Sequence, residues 1–341
     1  ISKMEVKVFV LWSLIGISSN LLFAQDNQSI QDTLKKEKSG KVFGMIYGGG
    51  YHKLKNYSKP KSGFEIKTGI LGYKNQLSDK VNAVIMFDVS KTTRDIKSDS
   101  ISINYTEGNH YTVYLKQAEI QWKFVKYAEL SFGMILSSQY LITQDKFWNH
   151  RFIEQTFQEV NKYGFPADFG TRLKLFPSQK VTFTLNMLNG DGPARWQDEN
   201  GKFLFSGDIE YKYKEQIFKI YTDYKQAPAS SQKAQSIING FVGINIKRIK
   251  LGTELCYIHH VNFSTTSIMG YSGFAFYKIN PKLEILGRFD SFEEIVKYEQ
   301  KKILLTGIQY EPINNYFLSI NYRAYWPIKT AMIYFNFGAK F

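Results

Sequence analysis

Five histidines, one cysteine and a long series of lysines, arginines and carboxylates are the side chains of this 341-residue sequence that could do chemistry. The histidines are His52, His110, His150, His259 and His260. None stands in a recognisable nucleophile motif, so hydrolysis has little to rest on. His259 and His260 are neighbours, and neighbouring side chains on a strand point to opposite faces, which argues against a shared metal. The stretch "NGDGPARWQDEN" at 189–200 is acidic enough to attract calcium but lacks the spacing of a twelve-residue calcium loop. Cys256 is the single cysteine, so no intrachain disulfide forms, and it reads as an inert small side chain. No catalytic residue, cofactor or metal is expected.

What remains is fixed charge. Lysine and arginine number 44 against 30 acids, a formal net charge of +14. Lys67, Lys123, Arg172, Lys174, Lys219, Lys225, Arg288, Arg323 and Lys340 recur on the polar side of alternating segments. Asp88, Glu119, Glu129, Asp168, Asp208, Glu210, Asp223 and Glu284 share that side. Charges lining a narrow aqueous passage select ions. Opposite charges across neighbouring strands pair, however, and contribute nothing to selectivity.

The alternation defines the elements. In "IFKIYTDYK", Phe218, Ile220, Thr222 and Tyr224 fall on one side and Lys219, Tyr221, Asp223 and Lys225 on the other. Sixteen such segments are expected, near 42–51, 63–74, 81–92, 111–124, 127–138, 167–176, 180–189, 203–213, 216–226, 237–247, 249–261, 266–277, 282–291, 301–310, 315–325 and 330–341. Tight turns such as "KE", "KR" and "NP" alternate with longer loops. That is the layout of an all-β, transmembrane antiparallel barrel of about 16 strands over 41–341, with both termini at the periplasmic end. A β-sandwich has no use for so many strands with charges on one face, and no repeated blade motif supports a propeller. A closed sheet also explains why the chain stops on "YFNFGAKF": the last strand meets the first, and Phe341 joins an aromatic girdle.

The start of the chain has another character. "KVFVLWSLIGISSNLLFAQ" reads as the core of a signal peptide covering 1–24, followed by a flexible periplasmic leader at 25–40. Export argues against nucleic acid as the partner of the basic charge, leaving outer-membrane lipid and small anionic solutes.

One connection, 139–166, lacks period two and is far too long for a turn. Phe147, Trp148, Arg151, Ile153, Phe157 and Val160 suggest a short helix or two there. Around it the sequence becomes specific. "LKQAEIQWKF", "LSFGMILSSQ", "KFWNHRFIEQTF", "YGFPADFGTRLKL" and "LNGDGP" resemble the phosphate-selective porin O and P group and related outer-membrane porins, over about 113–193. The resemblance implies an inward-folded third long loop that narrows a diffusion channel with a modest anion preference, phosphate being one candidate. It implies a pore role for Lys146, Arg151 and Arg172. His150, Asp168, Arg288 and Arg323 complete the expected constriction set. It also implies recognition of Phe341 by the barrel-assembly machinery, with a homotrimer as the candidate assembly. A non-conducting structural or secretion-associated barrel stays open as the alternative.

Overall fold

The computed structural model describes residues 40–55, 61–95, 105–195, 201–294, 299–327 and 329–341. The signal expectation at 1–24, the leader expectation at 25–40 apart from Gly40, and part of the acidic 189–200 stretch lie outside the described residues.

The described residues form sixteen strands: β1 Lys41–Lys55, β2 Ser62–Gln76, β3 Val81–Asp95, β4 Tyr105–Val125, β5 Ala128–Leu136, β6 Ala167–Leu175, β7 Val181–Leu188, β8 Leu204–Tyr213, β9 Gln216–Lys225, β10 Gln235–Ile246, β11 Ile249–His259, β12 Ile268–Asn280, β13 Leu283–Glu294, β14 Glu299–Ile313, β15 Tyr316–Trp326 and β16 Thr330–Lys340. Each pairs antiparallel with its neighbours in chain order, and β16 pairs with β1 to close the ring. Closure leaves no strand edge to satisfy in lipid. The sixteen expected segments correspond one to one with these strands. The differences are of length: β3, β4 and β14 run past the expected 92, 111 and 301–310 boundaries. Register shifts at Met86/Phe87 and Lys91/Thr93 interrupt the β3–β4 pairing, which blurs the two-residue period by which strands are recognised.

The turn end carries the close connections. Lys214, Lys247 and Asn315 take positive φ inside the β8–β9, β10–β11 and β14–β15 turns, the backbone hand that continues the strand twist. At the same end, Gly44 and Phe341 exchange backbone N–H···O bonds of 2.9 and 3.0 Å, so the last residue is held to β1.

Burial along the strands is the reverse of a water-soluble protein. On β9, Ile220 is 65% exposed while its neighbour Lys219 is 2% exposed. The same phase puts Ile238, Leu255, Ile308, Ile320 and Phe335 on the outer surface, and Asn239, Glu254, Gln309, Asn321 and Asn336 inside. Apolar rings and branches facing outward and charges facing inward are what a hydrocarbon solvent requires.

Between β5 and β6 the chain leaves the wall and folds into the barrel. It forms two short helices, α1 Gln144–Trp148 and α2 Phe157–Val160. Its apolar residues and those of the wall make two dry clusters. One joins Trp148, Phe152 and Ile153 to Tyr47, Phe276, Leu286, Leu305 and Phe317. The other joins Phe157 and Tyr163 to Tyr221, Ile237, Cys256 and Ile258.

Candidate functional site

The site is the lumen, where the 137–166 loop meets the wall. Three phenylalanines five residues apart dock it. Phe147 lies over Gly243 of β10, Phe152 over Gly338 of β16 and Phe157 over Gly270 of β12. A Cβ added at those glycines would come within 2.8, 2.8 and 2.6 Å of the ring or its stem. Each wall glycine is thus a socket that no larger residue can supply. Trp148 stands between Phe274 and Phe276, with ring centroids at 5.0 and 5.2 Å, and its indole N–H donates to the Glu154 carbonyl at 2.7 Å. Burial of such rings contributes about 1.5–3 kcal/mol each.

Polar ties fill the spaces between the rings. Gln144 donates to Asn239 at 3.0 Å, and Gln158 to Glu254 at 2.8 Å. Thr143 donates to Glu210. The wall cations aim at the loop's main chain. Arg172 donates to the Leu136 carbonyl at the loop's root, and Lys219 to that of Ser138. Lys250 approaches the Trp148 carbonyl at 3.4 Å. Lys67 and Arg323, from β2 and β15, both donate to the Ile153 carbonyl at 2.6 Å. Arg323 also bonds Glu154, and Arg288 donates to the Gln155 carbonyl while gripping Asp290. Burial works to raise the Glu154 pKa, but Arg323, Lys67 and Arg288 outweigh it and keep the carboxyl below its ordinary value.

The expected constriction residues therefore separate. Arg151 is not an open charge: it makes a two-pronged pair with Glu159 and a 3.1 Å contact with Asp145, all within the loop. Burial opposes its charge, but Glu159 and Asp145 hold the guanidinium ionised. His150 is buried, stacked on Phe276 with centroids 4.1 Å apart, between the Trp148 carbonyl and Glu284. Burial draws its pKa down while Glu284 acts against that shift, and with both ring nitrogens on acceptors any charge it carries is committed to Glu284 and is not open to the lumen. Asp168 accepts the Gly190 and Phe169 N–H groups at 2.6 and 2.8 Å and secures the connection after β7. Lys146 alone of the set is exposed.

Alternation missed Lys116. In a straight β4 it would share the outward phase of Ala118 and Ile120. The β3–β4 pairing steps from Met86↔Gln117 to Phe87↔Leu115, and the bulge turns Lys116 inward to Asp88 at 2.5 Å. His259 ends β11 and His260 opens the following loop, so the opposite faces expected of strand neighbours do not apply to them. His260 has φ 57°, so the chain folds back and the two rings lie 3.6 Å apart by centroid. Their Nδ1 atoms are occupied, by Ser267 and by the Ala234 carbonyl. Among the described residues no three metal-ligating side chains converge.

Neither a sequence family nor a curated protein matches the chain. Its shape does have counterparts. It is similar to the outer-membrane channel DcaP of Acinetobacter baumannii, at 10% identity over 89% of this chain and 97% of that one, with a TM-score of 0.59. It is similar to OmpF of Salmonella typhi, solved with daunomycin, at 9% identity over 89% and 97%, TM-score 0.66. An anion-selective porin from Comamonas acidovorans aligns at 10% identity over 89% and 99%, TM-score 0.55. The chain shares the closed antiparallel barrel of these channels.

Proposed function

We propose that this protein is an outer-membrane porin, a diffusion channel for small hydrophilic solutes, with its termini and short turns at the periplasmic end. The observation that carries this reading is the inverted burial around a closed ring: apolar side chains outward and a charged interior crossed by one long loop. The fold shared with solved outer-membrane channels supports it.

The finer reading is a modest preference for anions, phosphate among them. Lys74, Lys123, Lys174, Lys250, Lys278 and Lys340 hold the lumen-facing phase at the turn end, and exposed Lys146 lies on the loop. Glu129, Glu210, Glu284 and Glu311 oppose them there, so the excess is positive. Charges farther off are screened beyond about 8 Å at physiological salt. Arg151, Arg172, Arg288, Arg323, Asp168 and His150 shape the constriction by holding the loop. The test is the reversal potential in a potassium phosphate gradient. Wild type is expected to favour the anion, and Lys146→Glu with Lys340→Glu to move the potential toward cation preference. A cation-preferring wild type removes the anion assignment and leaves a general porin.

The second reading is a non-conducting structural or secretion-associated barrel. Each of the sixteen strands carries an inward side chain under a tenth exposed, and the lumen holds two dry clusters. Absence of current in phosphate from correctly folded protein would establish that reading.

A further inference from the structure

The wall cations and the loop backbone meet in a way that a permanent constriction does not require. The Ile153 carbonyl oxygen receives two cationic donors from strands on either side of the β1–β16 seam, Lys67 Nζ and Arg323 Nη2, each at 2.6 Å. The Glu154 carboxylate beside it takes a second Arg323 nitrogen. Two adjacent oxygens, one of them anionic, held by an ammonium and a forked guanidinium is how a carboxylate or phosphate is bound. Arg288 adds a single donor at the next carbonyl, that of Gln155, with its other nitrogens on Asp290. The loop thus places its own oxygens where those of a solute would go.

We propose that the 137–166 loop is a displaceable plug covering a latent oxyanion site at Lys67 and Arg323, and that oxyanionic solutes open the barrel by competing with it. This rests on the porin reading and adds its regulation. The phenylalanine sockets set the closed state, and the shared donors couple opening to the solute. A solute that binds the uncovered donors and not the covered ones shifts the population toward the open form. Phosphate otherwise strengthens apolar burial, so a loosening by phosphate is not a general salt effect.

The protein carries its own reporter. Cys256, the single cysteine, is 2% exposed inside β11, in the cluster that Phe157 completes, with its Sγ 4.0 Å from Gln158 Oε1. The loop covers this thiol, so lifting the plug uncovers it. The experiment measures labelling of Cys256 by a small water-soluble methanethiosulfonate, on the folded barrel in detergent, in sodium chloride and in sodium phosphate of equal ionic strength. Labelling is expected to be slow in chloride and roughly tenfold faster in phosphate, the size of shift one competing contact produces. Gly270→Val, which fills the Phe157 socket, should label fast in both salts. Phe157→Ala does the same with the wall intact, and alone decides this arm if Gly270→Val does not fold. Arg323→Gln should label at one rate in both salts. Equal wild-type rates in chloride and phosphate overturn the competition. Protection of Cys256 in the socket variants overturns the plug itself. Current in phosphate with Cys256 still protected leaves the porin reading standing without this inference, whereas phosphate-driven labelling without current does the reverse.

Discussion

Lys116 and Asp88 face each other with both side chains 3% exposed, and the Tyr114 hydroxyl donates to the same carboxylate at 3.1 Å. A pair so far from water gains little over an apolar pair, because both charges have lost their hydration. Breaking it is a different matter. Asp88→Ala leaves a buried ammonium without a counter-charge and should cost about 3–5 kcal/mol, whereas Lys116→Met with Asp88→Leu should recover most of that loss. Urea unfolding of the detergent-folded barrel measures both. Equal loss in the single and double variants would show that the β4 bulge depends on shape, not on charge. The same reasoning applies to Arg151, whose two acids make it a fastener of the loop.

At the scale of elements, the strand that ends the chain determines whether the ring exists. β16 pairs with both β15 and β1, and the Gly44–Phe341 bonds extend that pairing to the last residue. The Phe341 ring is 65% exposed on the outer surface and covers Gly44. Phe341→Asp would put a carboxylate on the lipid-facing side at the rim, where a charge costs least but the ring closes between β16 and β1. Outer-membrane levels of Phe341→Asp should fall well below those of a variant lacking 25–39. Equal levels would mean that closure does not depend on the terminal ring. The plug loop is the opposite kind of element. Its helices of five and four residues are too short to persist alone, so wall packing defines their shape.

The described residues form a sheet with no free edge, so the protein should resist sodium dodecyl sulfate at room temperature and unfold only on boiling. The measurement is a shift in gel mobility between unheated and heated samples, with a strand-type far-ultraviolet spectrum before heating. Identical mobility in both samples would contradict a closed barrel. The dry clusters within the lumen add an interior core to this frame. The barrel therefore resembles a packed protein inside and a membrane protein outside.

The strand number and the antiparallel ring were legible from local pattern alone, because a period of two and alternating turn lengths are properties of neighbouring residues, whereas the inward course of the long loop came only from the resemblance over 113–193. The phase of Lys219, Asp223 and Glu284 followed directly. The fate of the charges did not. Arg172, Arg288 and Arg323 carry the same alternation whether they face water, a carboxylate or a carbonyl, and their carbonyl partners are main-chain atoms shared by every residue type. Lys116 escaped because a bulge changes phase without a distinctive residue. The Phe–Gly sockets pair residues roughly a hundred or more positions apart, Phe152 with Gly338 and Phe157 with Gly270 among them. Only closing the ring brings those surfaces together. Solvent, period and turn length select the barrel locally, while the contents of its lumen are decided by which distant side chains the closed wall makes neighbours.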